Sequence, residues 1–190
     1  MRAAVFALLL AAAGAASSAE LRSVELQYED GIYTLQSEVW FDAAIEPTYA
    51  VFSDWDLSTE FSSAIVEARD LPADESGREG YYILNKGCVL FFCKSIERRG
   101  YVERESPEVL RAEADPERSD FDVSDETWEF TEHGGGTVVA YSLTMKPSFW
   151  VPPAIGPYFI KRTLENKAGQ ALDRVEALAR EYDGEEALSD

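Results

Sequence analysis

The sequence predicts an α+β domain in which a curved antiparallel sheet wraps around one long C-terminal helix. Three observations predict it. Between residues 22 and 145 apolar side chains recur at every second position in successive runs joined by short turn-forming links, the pattern of a meander with one buried face. From Leu164 to Tyr182 the apolar spacing changes to three and four residues, the period of an amphipathic helix. Between the first strand and the rest lies a segment with helix starts at Pro47 and Asp54, which predicts two short helices after the first strand.

The chain opens MRAAVFALLLAAAGAASSAE, with one positive charge at Arg2, an apolar and small-residue run to Ala16, and Ser17-Ser18-Ala19 as a small-x-small site. That is the pattern of a secretory signal peptide over 1–19. The run is shorter than the roughly 18 to 20 apolar residues a membrane span needs. The sequence therefore predicts an exported, periplasmic protein with one domain over 20–182 and an acidic, disordered tail over 183–190.

Each element follows from local pattern. Val24, Leu26 and Tyr28 alternate with Glu25, Gln27 and Glu29; Asp30-Gly31 follows; then Tyr33, Leu35, Val39 and Phe41 face away from Thr34, Gln36 and Glu38. This predicts a hairpin or one kinked edge strand. Tyr49 and Phe52 ride on the first short helix, and Asp54 caps a second that runs through Leu57 to Phe61. Six further strands are predicted: 64–71, 80–88, 93–104, 109–114, 124–132 and 137–145. His133 and Gly134-Gly135-Gly136 form the turn between the last two, and the acidic stretch 72–79 is predicted to be solvated or disordered. About 25 residues of final helix would run some 38 Å at 1.5 Å per residue, so it must cross the whole domain.

Composition excludes some partners. With 36 acidic against 17 basic residues and a formal net charge of −19, the surface repels nucleic acid and anionic head groups at long range. Ten Phe, nine Tyr and four Trp point instead to a neutral or apolar partner.

The order of elements, together with DAAIEPTYAVFSDWDLSTEF (42–61), SDETWEF (124–130) and FWVPPAIGPYFIKRTLENKAGQALDRVEALA (149–179), resembles the START-like, or SRPBCC, helix-grip superfamily. Within it the chain is most similar to the coenzyme Q-binding, polyketide cyclase/dehydrase-like branch. The resemblance covers nearly all of residues 20–182. It implies a cavity between sheet and helix that takes a lipid, quinone or polyketide-like molecule, in a carrier or, alternatively, a cyclase or aromatase. The expected lining is Trp55, Phe61, Leu90, Phe91, Phe92, Arg98, Trp128, Tyr141, Phe149, Trp150, Tyr158 and Phe159. Any of these aromatics could instead simply fill the core.

No catalytic constellation is legible. His133 is the only histidine and sits in a turn. No zinc ligand set, phosphate-cradling loop or nucleophile elbow occurs, so no metal or cofactor is expected. Asp54, Asp56 and Glu60 crowd the short helices as a solvated acidic face. Arg98 is predicted to point inward and to need a carboxylate; Glu126 is its mate, in an ion pair placed at the rim.

Cys88 and Cys93 bracket Val89-Leu-Phe-Phe92. On one continuous strand their separation of five residues would send them to opposite faces. With Val89–Phe92 as a four-residue hairpin loop they become cross-strand neighbours, and in an oxidising compartment a disulfide is expected. The apolar tip, the Phe149–Pro153 loop and the loop carrying Trp55 are expected to converge at the cavity mouth, where they could touch a membrane transiently. A monomer is expected.

Overall fold

The computed structural model describes residues 19–89, 92–151 and 169–183, with backbone alone for Cys88, Val89 and Phe92. The strands are β1 (Glu20–Glu29), β2 (Ile32–Phe41), β3 (Ile65–Leu71), β4 (Gly80–Val89), β5 (Phe92–Ser106), β6 (Val109–Ala114), β7 (Phe121–His133) and β8 (Gly136–Pro147). Helix α1 (Ile45–Ser53), a 3₁₀ turn (Trp55–Leu57) and α2 (Ser58–Phe61) separate β2 from β3. Residues 169–183 form the helix α3. Residues 1–18, which hold all but Ala19 of the expected signal peptide, Leu90 and Phe91, Pro152 and Pro153, Tyr158 and Phe159, Leu164 and Ala168, and the tail beyond Asp183 lie outside the described residues.

All eight strands join one antiparallel sheet in the order β1-β2-β8-β7-β6-β5-β4-β3. Neighbours in sequence are neighbours in the sheet except at β2, which pairs with β8, and β3, which forms the far edge. Asp30 and Gly31 both adopt positive φ, 49° and 88°, which is why Asp-Gly closes β1 on β2 as a hairpin rather than a kink. The two short helices thus follow a hairpin, and the sheet carries one more strand than a single kinked edge would give.

Alternation sets the inner face. Tyr33, Leu35, Val39 and Phe41 of β2 are buried, as are Leu110, Ala112 and Ala114 of β6 and Ser124, Glu126, Trp128 and Phe130 of β7. Against them pack Val51 of α1, Trp55, and Val175 and Ala179 of α3. Phe52 meets Phe41, Phe61 and Phe130 at ring separations of 5.9, 6.3 and 5.6 Å, fixing the short helices on the sheet. Asp54 accepts from the Asp56 amide, the expected cap.

Polar clips hold the layers in register. Arg104 on β5 donates to the Ser53 carbonyl at 2.8 Å and to Asp70 at 2.6 Å and also pairs with Glu79, so one guanidinium ties α1 to the β3–β4 side. At the other side buried Glu176 accepts from the Asp42 amide at 2.9 Å, and Arg180 bridges Glu176 to Asp42. The stretch 72–79 is largely exposed, the solvated one of the two expected alternatives, and is organised: Asp74 accepts from the Ser76 and Arg78 amides and pairs with the Arg78 side chain.

The His133 turn is structural. Trp40 Nε1 donates to the His133 carbonyl at 2.9 Å, Gly134 and Gly135 have φ of 64° and 83°, and a Cβ on Gly136 would lie 2.2 Å from the Phe41 carbonyl oxygen. Three glycines in a row answer two separate demands, left-handed backbone and close approach.

Candidate functional site

On the inner face six side chains close a circuit. Tyr81 of β4 stacks on Trp55 at 4.4 Å and 19°; Trp55 meets Trp128 edge-on at 6.1 Å; Trp128 meets Tyr141 at 5.1 Å. Tyr141 Oη donates to Glu126 at 2.6 Å, Glu126 pairs with Arg98, and the Arg98 guanidinium lies 5.8 Å from the Tyr81 ring centre. The circuit draws on the 3₁₀ turn and on β4, β5, β7 and β8.

Strand register explains how an arginine on β5 reaches a glutamate on β7. Gly100 and Ala114 are direct partners, and Val102, Ala112 and Glu126 form the next row. Because Gly100, Ala112 and Ala114 project little or nothing inward, the guanidinium can pass over them. Gly100 is there for a second reason: a Cβ would sit 1.9 Å from the Glu113 carbonyl oxygen. The floor of the circuit is therefore made of small residues and its wall of aromatic and charged ones.

The Arg98 and Glu126 side chains keep only 15% and 3% of their exposure, so the ion pair is interior and the rim placement expected from sequence is corrected. Sheet parity fixed the pairing, and the small-residue floor drew it inward. Burial alone would depress the Arg98 pKa, but Glu126, with Tyr81 and Tyr141, holds it above the ordinary arginine value. Burial raises both Tyr141 and Tyr81, and Glu126 adds to each, so both phenols keep their protons. Arg98 Nε, Tyr81 Oη, Trp55 Nε1 and Ser124 Oγ are buried without a hydrogen-bond partner among the described residues. Each such orphan costs about 1–3 kcal/mol, so a cluster of them marks a place where a polar group is expected to be received.

The other site residues expected from sequence divide. Trp55 is 4% exposed and part of the core, not a loop at the mouth, because its ring stacks on Tyr81. Phe61 is half-buried against Phe52. Phe149 is half-buried with Lys94 Nζ 3.3 Å from its ring centre, whereas Trp150 is 80% exposed. The 148–151 segment lies beside the outer half of the β4–β5 hairpin, since Phe149 meets Lys94, three pairs or fewer from the tip, while Ser148 donates to the Asp120 carbonyl and Asp120 to that of Glu97. Leu90, Phe91, Tyr158 and Phe159, and the Phe92 side chain, fall outside the description.

The β4–β5 ladder runs to Val89 opposite Phe92, so the link is two residues rather than four, and Cys88 stands directly opposite Cys93. Sequence reading missed Tyr81 and Ser124, and Asp70 as the partner of Arg104; the alternation of Tyr81 and Ile83 was the available signal for the first. Asp54, Asp56 and Asp70 come within 4.8 Å of one another, with Asp70 in the place expected for Glu60. Grooves of about 190 and 450 Å³ are lined by Leu71, Pro72, Arg78, Arg99, Tyr101 and Arg118 and by Glu79, Tyr101, Glu103, Arg111 and Glu113.

No family model matches the chain. No curated protein matches it. Solved structures do. A START superfamily protein from Mycobacterium smegmatis is 18% identical with a TM-score of 0.61, over 76% of this chain and 98% of that one. The STAR-related lipid transfer protein from Xanthomonas axonopodis is 14% identical with a TM-score of 0.59, over 80% and 98%. The Zhui aromatase/cyclase from Streptomyces sp. R1128 is 9% identical with a TM-score of 0.57, over 78% and 94%. At these identities the likeness defines the fold. The chain has the START-like helix-grip fold, an eight-stranded sheet with a C-terminal helix and two short helices.

Proposed function

We propose that this is an exported protein that binds or carries a hydrophobic small molecule, a lipid, quinone or polyketide-like compound, on the inner face of the sheet beneath the C-terminal helix. The carrying observation is the Arg98–Glu126–Tyr141 cluster, set in an aromatic wall with unpartnered buried polar atoms beside it. Apolar surroundings suit the body of such a ligand, and the cluster offers one polar anchor for its head. The N-terminal apolar run supports export. The opposite positions of Cys88 and Cys93 in the ladder support a disulfide between them. The exposed Trp150, next to Phe149 on the tip half of the β4–β5 hairpin, supports brief membrane contact at that end.

Mass spectrometry of an organic extract of the purified protein tests the reading. A stoichiometric apolar molecule is expected, and its loss in Arg98→Met places its polar end at the cluster. An extract without one, from a protein that also takes up no lipid or quinone from vesicles, would refute carriage. Thiol titration checks the cysteines: none should react before reduction and two after. The second reading, a cyclase-type enzyme, rests on the guanidinium and two protonated phenols around one carboxylate, an array able to polarise a ligand carbonyl. Conversion of a polyketone on incubation, abolished in Arg98→Met, would favour it.

A further inference from the structure

The two edges of the sheet are unlike. β3 has seven residues, carries Glu67, Arg69 and Asp70, has a register break between Ile65 and Glu67, and is held by Arg104 through Asp70. Those are the devices by which an edge avoids pairing with another chain. β1 has ten residues, its one register break lies near the start between Leu21 and Ser23, and from Ser23 to Tyr28 it holds a single charge, Glu25. Six large apolar side chains are exposed among the described residues, and Leu21, Val24, Tyr28 and Ile32, at 37–40%, are four of them. Leu21, Val24, Leu26 and Tyr28 share the inner face, because Val39, Ser37, Leu35 and Tyr33 are their partners on β2.

We propose that β1 is an interface with a second copy of this chain, two β1 strands pairing antiparallel about a two-fold axis at Leu26 to join two sheets into one. The strand's own sequence selects both occupant and register. Opposed residues in an antiparallel pair face the same side, so a symmetric pair is centred on one residue. Centring on Glu25 sets that carboxylate against its own copy. Centring on Gln27 sets Glu25 against Glu29. A centre at Val24 runs into the register break, and one at Tyr28 runs Leu26 against Asp30 in the turn. Centring on Leu26 opposes Val24 to Tyr28, Leu26 to Leu26 and, on the outer face, Glu25 to Gln27 and Ser23 to Glu29. The inner face is then wholly apolar and no like charges meet. A dimer would replace the monomer expected from sequence, because the Val24–Tyr28 row alternates as a core face does while Val24 and Tyr28 stay 37% exposed. Two bodies of net charge −19 repel, so the dimer should tighten as salt rises.

Sedimentation equilibrium of the purified protein tests this: the mass should rise to that of two chains with concentration, at lower concentration in high salt, and Leu26→Lys should return it to one chain. Should Leu26→Lys fail to fold, cysteine crosslinking decides. Leu26→Cys should give a covalent dimer under mild oxidation and Tyr28→Cys should not, since Tyr28 faces Val24. A single-chain mass at every concentration and salt, or crosslinking through Tyr28→Cys in place of Leu26→Cys, would overturn the proposal.

Discussion

Arg98 shows how one side chain can be both costly and useful. Removing one member of a buried ion pair leaves the other charge unpaired, which costs about 3–5 kcal/mol, whereas replacing both with apolar groups of similar volume is close to neutral. Arg98→Met should therefore lower stability by about 3–5 kcal/mol, and Arg98→Met/Glu126→Leu should recover most of the loss while still abolishing ligand retention. Urea unfolding of both variants separates the anchor's cost from its use. The phenols supply a pH test. Tyr81 and Tyr141 have folded pKa values above the ordinary tyrosine value because burial disfavours phenolate. The unfolded chain gives up those protons near pH 10, so the stability they contribute is complete below about pH 10 and is lost as pH rises above it. The thermal midpoint should fall on that side, and phenolate absorbance from these two tyrosines should appear only with unfolding.

At the scale of elements, Gly100 lets β5 lie against β6 at a place where any side chain would strike backbone. Gly100→Ala has nowhere to put its methyl, with Glu113 carbonyl oxygen at 1.9 Å and Ala114 Cα at 2.7 Å from it. A loss of about 3 kcal/mol is expected in denaturant titration, with Arg98 drawn away from Glu126. Much of this layer was legible in the sequence. Asp-Gly with alternation on both sides left a hairpin or one kinked edge strand open, which the positive φ of Asp30 and Gly31 decides for the hairpin, and the period-two runs predicted strands whose ends fall within three residues of those found. Arg98 and Glu126 were legible as same-face partners, because parity is local. Their depth was not, because it depends on Gly100, Ala112 and Ala114 lining up across two strands. Likewise Glu176 falls within the apolar stripe of Leu172, Val175 and Ala179, and a carboxylate there signals a partner; that the partner is the Asp42 amide depends on how α3 crosses the sheet.

For the whole molecule, acidity is the dominant field. A chain with 36 acidic residues and 17 basic ones repels itself at low ionic strength, and screening relieves the folded state more than the expanded one. The thermal midpoint should therefore rise from low salt to about 0.15 M, where the Debye length is about 8 Å, and change less beyond that. The paired arginines at Asp70, Asp74, Glu126 and Glu176 do not offset that field, since each is a local arrangement within a surplus of acids.

The pairing of β2 with β8 has a consequence for how the chain reaches this state. From β3 to β8 every strand finds its partner next in sequence, so those contacts close over short loops. Phe41 meets Thr137, by contrast, only after nearly the whole domain has been looped out. Loop-closure entropy predicts that this junction closes late and sets the folding rate. Trp40 lies on this seam with its indole on the His133 carbonyl, so in a variant with Trp55, Trp128 and Trp150 replaced by phenylalanine its fluorescence should time the moment the sheet becomes one piece.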